Sequence, residues 1–225
     1  MQLVEPYVFM GGTFDPVHNG HLRTALELQQ WLKVKQVTLI PSGEPVHRSE
    51  PGCSAKDRLA MVELAVADAA SLQVDSREVD AHTPSYSALT LASLRQSLGP
   101  DKPICMVMGM DAYLSLPSWK DWHTFLSLCH IIAVARPGYA YTADDVMDDF
   151  TRRHQIESTD MLWQQPCGAV MIHELTPLGI SATQIRNLVA QGKTPRYLTP
   201  DQVWEYIKQH QLYGYQRGDW ISDAN

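Results

Sequence analysis

The sequence predicts a doubly wound α/β fold, in which a mostly parallel sheet is flanked by helices within a single domain. Short apolar runs rich in β-branched residues alternate with longer segments of helical periodicity, the pattern of parallel strands joined by crossover helices. The first run ends at two glycines where a helical pattern begins, which is typical of a tight strand-to-helix turn. No internal repeat or flexible Gly/Ser linker divides the chain. We therefore expect one domain over residues 1–212 and a C-terminal tail over 213–225.

The elements follow one another along the chain in this alternating order. The predicted strands are YVFMG, QVTLIP, SLQVDS, PICMVMG, HIIAVAR and AVMIHEL. Helical periodicity predicts helices over about residues 19–33, 56–70, 85–98, 142–153, 181–191 and 200–211. Before the last helix, Thr199 offers an N-cap, Pro200 suits the first helical position and Gln202 can complete a capping box.

Composition excludes several classes of protein. With 225 residues, 44% apolar and 19% charged, the chain can bury a substantial core. Its formal charge of −7 is spread along the sequence, so no basic face for nucleic acid or an anionic membrane is predicted. The apolar runs are too short to cross a bilayer, and the start lacks the features of a signal peptide. The four cysteines are widely spaced, so we expect reduced thiols. Because no signal peptide or membrane span is predicted, we expect a cytoplasmic protein. The other histidines and acids are not clustered, so we expect no permanent metal site.

Residues 11–22, GGTFDPVHNGHL, carry two histidines at the start of the first predicted helix. The spacing of three places His18 and His21 on one side of the first turn, where unpaired backbone N–H groups favour an anion. Ligands of open α/β sheets also bind beyond the C-terminal ends of strands. The alternative is that both imidazoles cap or pack the turn.

This stretch resembles the signature of the nucleotidylyltransferase superfamily, G-x-F-D-P-x-H-x-G-H, which binds the phosphates of a nucleoside triphosphate. The resemblance implies a Rossmann-like fold. It assigns phosphate binding to Gly11, Gly12, Thr13, the amide of Phe14, His18 and His21. The ring of Phe14 is expected to pack in the core. Asp15 is interpreted as an acceptor that holds the turn, outside the catalytic set.

A second stretch, GISATQIR at residues 179–186, closes the same site in that superfamily. The resemblance assigns ATP contacts to Ser181, Thr183 and Arg186. Ser181 with Gln184 also reads as an ordinary capping box. Arg186 lies in the first two helical turns, where the dipole does not favour a cation, which favours a phosphate partner. Ala182 stands where the superfamily often has serine.

Three further stretches are similar to bacterial nicotinate-nucleotide adenylyltransferases. They are PVHR at 45–48, TPSYSALTL at 83–91, and GMDAYLSLPSW at 109–119 with ARPG at 135–138, so the resemblance runs from about residue 7 to residue 212. It implies transfer of the adenylyl group of ATP to nicotinate mononucleotide, giving deamido-NAD and pyrophosphate. Magnesium is expected to travel with ATP. The implied partners are therefore these two substrates, in a monomer or small homo-oligomer without nucleic acid or membrane.

The resemblance also assigns the remaining substrate contacts. Gly109 and Asp111 would meet the ATP ribose, although Asp111 could instead cap a helix. The mononucleotide would be held by Thr83, Ser85, Tyr86, Trp119, Arg136, His47 and Arg48. The alternatives are core packing for Tyr86 and Trp119, a surface salt bridge for Arg136, and a solvated loop for His47 and Arg48. No Asp or Glu lies between Thr83 and Ser97 to accept from an amide, which favours the acid over nicotinamide mononucleotide.

The predicted catalytic residues are His18, His21 and Arg186. A mononucleotide phosphate is already ionised, so it can attack ATP without a protein nucleophile or base, and catalysis reduces to positioning and charge stabilisation. The alternatives are an enzyme that adenylylates phosphopantetheine or transfers cytidylyl groups, and a catalytically silent nucleotide-binding regulator. The acceptor loops separate the enzymes from one another.

Overall fold

The computed structural model describes residues 4–45, 52–81, 84–135, 144–176 and 178–216. The strands are β1 (Tyr7–Gly12), β2 (Val37–Pro41), β3 (Glu44–Pro45), β4 (Leu72–Val74), β5 (Pro84–Ser85), β6 (Ile104–Gly109), β7 (His130–Ala135) and β8 (Val170–Glu174). The α-helices are α1 (Asn19–Leu32), α2 (Ala55–Val66), α3 (Arg77–Asp80), α4 (Ser87–Leu98), α5 (Met110–Leu114), α6 (Asp145–His154), α7 (Met161–Gln164), α8 (Ala182–Ala190) and α9 (Asp201–Gln209). Short 3-10 helices span Leu116–Ser118, Trp122–Ser127 and Leu212–Gly214.

Six of these strands form one parallel sheet in the order β4-β2-β1-β6-β7-β8. The chain winds outward from β1 through β2 to β4, then returns to the centre at β6 and winds the other way. This reversal makes the C-terminal ends of β1 and β6 the topological switch point, where ligands of such sheets bind. The predicted doubly wound fold and all six predicted strands are confirmed.

The hydrophobic core lies on both faces of the sheet because alternate strand side chains point to opposite sides. Val8 packs into a cluster with α1, α2, α8 and α9, including Leu28, Met61 and Ile207. Phe9 packs into a second cluster on the other face, with side chains of α4, α5 and α6. Helices therefore cover both faces, as the fold class requires.

The main helices begin close to their predicted positions, with one correction at α9. Its N-cap is Pro200, which has no side-chain cap, and the capping box predicted for Thr199 is absent among its described contacts. The Thr199 hydroxyl is buried and instead donates to the carbonyl of Val17, 2.8 Å away. The helix therefore begins at Asp201, and the hydroxyl braces the loop that carries the two histidines.

Short elements were not predicted from periodicity. These are α3, α5, α7 and the two-strand parallel sheet of β3 with β5. Elements of two to five residues span at most about one helical turn, so they leave no periodic signal. In the described parts of the chain, no helix has both the length and the apolar character needed to cross a membrane.

Candidate active site

The switch point places two of the predicted stretches side by side. Residues Tyr7 to Met10 of β1 pair with Ile104 to Val107 of β6 in parallel, so the loop after Gly12 and the turn at Gly109 emerge at the same edge. A Cβ built at Gly11 or Gly109 would meet no described protein atom within 4 Å. Packing within the described chain therefore does not demand glycine at these two positions.

His18 and His21 form a reciprocal capping pair at the start of α1. His18 is the N-cap; its Nδ1 accepts from the backbone N–H of His21 at 3.4 Å, and the Nδ1 of His21 accepts from the N–H of His18 at 3.3 Å. The two rings stack with centroids 3.6 Å apart and planes 18° apart. The capping alternative raised by the sequence is therefore part of the structure, and it fixes both rings in one orientation.

This arrangement determines which ring atoms can donate. Because each Nδ1 accepts a hydrogen bond from a backbone N–H, the neutral form of each ring carries its proton on Nε2. His18 is only 6% exposed, and this burial lowers its pKa from 6.5 to about 4. At neutral pH His18 is therefore an uncharged imidazole whose available donor is Nε2–H.

Phe14 and Gly20 both pack against the histidine pair. The buried Phe14 ring packs edge-on against His21, with centroids 5.0 Å apart, so the predicted core packing of this ring is confirmed. Phe14 has φ 49°, a left-handed conformation that is costly for a non-glycine residue and that recurs at functional sites. A Cβ at Gly20 would lie 3.0 Å from the His18 ring, so glycine lets the ring lie flat on the first turn of α1.

The stretch at residues 179–186 lies against the loop over residues 13–18, which we call the histidine loop, as the resemblance implies. A Cβ at Gly20 would lie 3.7 Å from Cβ of Ile180, which places the start of α8 beside the start of α1. Ser181 is the N-cap of α8 and accepts from the N–H of Gln184 at 3.2 Å. The two helix N-termini therefore meet beside the switch point, where the positive ends of both helix dipoles favour an anion.

Arg186 has protein partners in this structure. Its Nη1 donates to the carbonyl of Asp15 at 2.7 Å and lies 3.5 Å from the Asp15 carboxylate, while Nη2 donates to the Thr183 hydroxyl at 3.2 Å. The side chain is 32% exposed. Asp15 thus compensates the cation in the first turns of α8. The guanidinium is held beside the loop between Thr13 and His18.

Arg58 is a site residue that the sequence analysis missed. It is 1% exposed and donates to the carbonyls of Thr13, Ser42 and Gly43 at 2.6–2.8 Å. Its Nε has no hydrogen-bond partner among the described residues. Burial lowers the pKa of this guanidinium from its ordinary value. The signal was present in the sequence, because Arg58 shares the buried face of α2 with Met61 and Val62 at helical spacing.

The loop at residues 84–86, which carries the predicted mononucleotide contacts Ser85 and Tyr86 and which we call the acceptor loop, reaches the site through the small β3–β5 sheet. Gly43 donates its N–H to the Ser85 hydroxyl at 2.8 Å, and its carbonyl accepts from Arg58. A Cβ at Gly43 would lie 2.3 Å from the carbonyl oxygen of Glu78, so only glycine fits there. Arg58 and Gly43 therefore link the acceptor loop to the loop after β1.

Glu78 is a carboxylate close to the acceptor loop that the sequence window from Thr83 to Ser97 did not include. It accepts from the Thr90 hydroxyl at 2.5 Å and is hydrogen-bonded to the Ser85 hydroxyl. Burial raises the pKa of Glu78 from its ordinary value. Both partners of the Glu78 carboxylate are therefore protein hydroxyls. The Ser85 hydroxyl accepts from the N–H of Gly43 and also interacts with Glu78. A cavity of about 180 Å³ lies beside these groups.

Lys120, the residue after Trp119, contacts the loop that carries Tyr86. The ammonium of Lys120 lies 4.5 Å from the centre of the Tyr86 ring, which joins the two predicted mononucleotide loops. Trp119 is half-buried and meets Phe125 edge-on at 6.4 Å, and Trp122 is half-buried against Phe150 at 5.2 Å. Each tryptophan therefore keeps part of its surface accessible.

Other predicted residues are placed as follows. Asp111 lies exposed in the first turn of α5, whose N-cap is Gly109, so the capping alternative for Asp111 is wrong. The predicted contacts Thr83, Arg136, His47 and Arg48 lie outside the described residues. A separate cavity of about 560 Å³ runs along the edge strand β8 and is lined by none of the predicted site residues.

The described side chains of the site do not form a metal-binding cluster. Across the described ranges, no three His, Cys, Asp or Glu side chains cluster closely enough to hold one. At the histidine loop, the Asp15 carboxylate accepts from the N–H of Gly52 and the hydroxyl of Tyr213, each at 2.8 Å. These donors are part of the protein, so this carboxylate does not fit the role of a resident metal ligand.

The chain is similar to a known protein family and to curated proteins from other organisms. A family model described as cytidylyltransferase-like matches residues 9–188. A relative from Hahella chejuensis, named "Probable nicotinate-nucleotide adenylyltransferase", is 47% identical over 215 residues, covering 95% of this chain and 98% of the relative. A relative of the same name from Marinomonas sp. is 43% identical over 210 residues, covering 93% and 95%.

Solved structures show the same fold. The structure titled nicotinic acid mononucleotide adenylyltransferase of Plasmodium falciparum, complexed with NaAD, has a TM-score of 0.70 and 13% sequence identity, and the match covers 94% of this chain and 98% of that one. A structure from Vibrio parahaemolyticus, titled a putative nicotinate-nucleotide adenylyltransferase, has a TM-score of 0.59 at 16% identity, covering 93% and 96%. These structures show the fold, and the family model with the sequence relatives shows that the chain belongs to the cytidylyltransferase-like family and, within it, to the nicotinate-nucleotide adenylyltransferases.

Proposed function

We propose that this protein transfers the adenylyl group of ATP to nicotinate mononucleotide, releasing pyrophosphate and forming deamido-NAD. The observation that carries the proposal is the stacked pair His18 and His21 at the switch point. In each ring Nδ1 accepts from a backbone N–H, so the neutral ring carries its proton on Nε2. Family membership supports the choice of reaction. The sequence relatives that are 47% and 43% identical carry the name of this enzyme.

In the proposed reaction, an oxygen of the mononucleotide phosphate attacks the α-phosphorus of ATP. The new P–O bond forms as the bond from the α-phosphorus to the β-phosphate oxygen breaks, and the electron pair leaves with pyrophosphate. Negative charge grows on the transferring and leaving oxygens, where His18 and His21 donate from Nε2 and Arg186 supplies a cation. One well-placed donor of this kind contributes roughly 3–4 kcal/mol to transition-state stabilisation.

ATP is proposed to bind across the switch point. Its phosphates would lie over the backbone of Gly11, Gly12, Thr13 and Phe14 and against the N-termini of α1 and α8, with Ser181 and Thr183 contributing hydroxyls. Gly109 permits close approach of the ribose and the exposed Asp111 accepts from its hydroxyls. Magnesium is proposed to enter as part of the MgATP substrate, held by phosphate oxygens and water, in keeping with its preferred ligands.

The mononucleotide is proposed to bind between the two acceptor loops. Trp119 would stack on the pyridine ring, and the backbone N–H groups of the loop at Ser85 and Tyr86 would meet the nicotinate carboxylate. The ammonium of Lys120, placed over Tyr86, adds positive charge that favours an acid over an amide. Thr83, His47, Arg48 and Arg136 complete the proposed set through the resemblance alone.

The test is pyrophosphate release by the purified chain with MgATP and one of three acceptors: nicotinate mononucleotide, nicotinamide mononucleotide or phosphopantetheine. We expect a specificity constant for nicotinate mononucleotide about 100-fold or more above that for nicotinamide mononucleotide, because the amide N–H₂ would face the N–H donors of the loop at Ser85 and Tyr86. Mass spectrometry of the product identifies deamido-NAD. Equal constants for the two mononucleotides would overturn the acceptor assignment while leaving adenylyl transfer intact. Transfer to phosphopantetheine alone would establish the rival enzyme, and ATP binding without pyrophosphate release would establish the silent regulator.

A further inference from the structure

The Asp15 side chain connects four separate segments of the chain. It is 6% exposed and lies in the loop between Thr13 and His18. Oδ1 accepts from the Tyr213 hydroxyl at 2.8 Å and from the Cys53 thiol at 3.4 Å, and Oδ2 accepts from the N–H of Gly52 at 2.8 Å. Hydrogen-bond donors compensate a buried carboxylate for the water that it loses on folding. Its position is therefore set by residues distant in sequence.

Arg186 depends on the same carboxylate. Its Nη1 donates to the backbone carbonyl of Asp15 at 2.7 Å and lies 3.5 Å from Oδ2. A movement of Asp15 would shift the guanidinium proposed to hold the triphosphate. It would also shift the loop that ends at His18. Asp15 thus transmits its position to two elements of the proposed ATP site.

Tyr213 reaches Asp15 from the C-terminal turn, which we define as residues 211–214. Gln211, Tyr213 and Gly214 all have positive φ, at 53°, 57° and 79°. This is an uncommon conformation for Gln211 and Tyr213 that the surrounding contacts must support. A Cβ at Gly52 would lie 2.9 Å from the Tyr213 ring, so the ring packs closely against the backbone there. Burial raises the pKa of Tyr213 above its ordinary value, which keeps the phenol protonated as a donor to Asp15.

We infer that Tyr213 is a positioning residue of the active site: its hydroxyl fixes Asp15, and Asp15 in turn aligns Arg186 and the histidine loop for the triphosphate. The inference rests on the proposed function, since it concerns the same ATP site. It assigns a role to the C-terminal turn that neither the phosphate-binding motifs nor the acceptor loops suggest. The residue acts through Asp15 without touching substrate.

The test is Tyr213→Phe in the full chain, which removes the hydroxyl and keeps the ring. We expect kcat/KM for ATP to fall about tenfold, the effect of losing one hydrogen bond to a charged group, while KM for nicotinate mononucleotide changes less than about twofold. The matched control is Tyr206→Phe. It removes a similar hydrogen bond, from Tyr206 to Asp57 at 3.0 Å, which ties α9 to α2. We expect both variants to unfold at similar urea concentrations but only Tyr213→Phe to lose ATP efficiency.

A double-mutant cycle with Asp15→Ala separates positioning from general stability, because alanine removes the acceptor of the Tyr213 hydroxyl. If Tyr213 acts through Asp15, the loss caused by Tyr213→Phe should largely disappear in the Asp15→Ala background. Calorimetric binding of a non-hydrolysable ATP analogue provides a readout independent of turnover, so failure of the proposed reaction and failure of this inference are distinguishable. Wild-type ATP affinity and efficiency in Tyr213→Phe, or losses that simply add in the double variant, would overturn the inference.

Discussion

Replacement of His18 by asparagine tests the central geometry of the site. Asparagine is a favoured N-cap, and its side-chain oxygen can accept from the backbone N–H of His21 as the imidazole Nδ1 does. The substitution therefore keeps the start of α1 but removes the Nε2 donor. We expect the variant to fold and its turnover to fall by about 100-fold or more, the usual effect of removing one transition-state donor.

The same substitution tests the charge state of His18. Burial holds its pKa in the folded chain at about 4, below the ordinary value of 6.5. Between these values the unfolded chain binds a proton that the folded chain does not, so acidification favours unfolding. This loss of stability from protonation of the unfolded chain is small above pH 6.5, and it grows as the pH falls toward 4. The two values give a loss of about 2 kcal/mol in the free energy of unfolding between pH 7 and pH 5.

Urea denaturation of the wild-type chain and His18→Asn at pH 7 and pH 5 measures this term. Both proteins lose stability through their other titrating groups, but only the wild-type chain carries the His18 contribution. We expect the variant to become more stable relative to the wild-type chain by about 2 kcal/mol at the lower pH. An unchanged stability difference would show that His18 is not a buried neutral imidazole. Near-normal pyrophosphate release by the folded variant would refute its role as a donor.

Two further substitutions test the acceptor loop and the buried arginine. Trp119→Ala should raise KM for the mononucleotide about fivefold, the loss of roughly 1 kcal/mol of stacking, with KM for ATP unchanged. The control is Trp122→Ala, which removes packing on Phe150. Equal losses for both substrates in Trp119→Ala would contradict stacking. Arg58→Met should lower the free energy of unfolding by at least about 3 kcal/mol, because the carbonyls of Thr13, Ser42 and Gly43 lose their donor at about 1–3 kcal/mol each. Urea denaturation measures this loss of stability. Arg58→Lys should recover little of the lost stability, because an ammonium lacks the planar fork of a guanidinium. Stability of Arg58→Met within about 1 kcal/mol of the wild-type chain would disprove the prediction.

The sequence by itself determined the features that depend on near neighbours in the chain. Alternation and β-branched runs located the six strands of the sheet, and helical spacing located α1 and α8. His18 and His21 could be placed together at a helix N-terminus because residues three apart on a helix share a face. Ser181 was identified as an N-cap for the same reason. These features involve contacts within about one helical turn, which a local pattern records.

Only the tertiary structure decided the contacts between distant segments. Thr199 resembled a helix cap in sequence, but the fold brings its hydroxyl to Val17, 182 residues away, and the hydroxyl donates its hydrogen bond to that carbonyl. Periodicity could place Arg58 on a buried face of α2, yet its three carbonyl partners depend on how the loops after β1 and β2 lie over that helix. The link from Tyr213 to Asp15 spans 198 residues. Such pairs are set by strand order and helix packing, and a local sequence pattern carries no information about which distant donor will reach a buried acceptor.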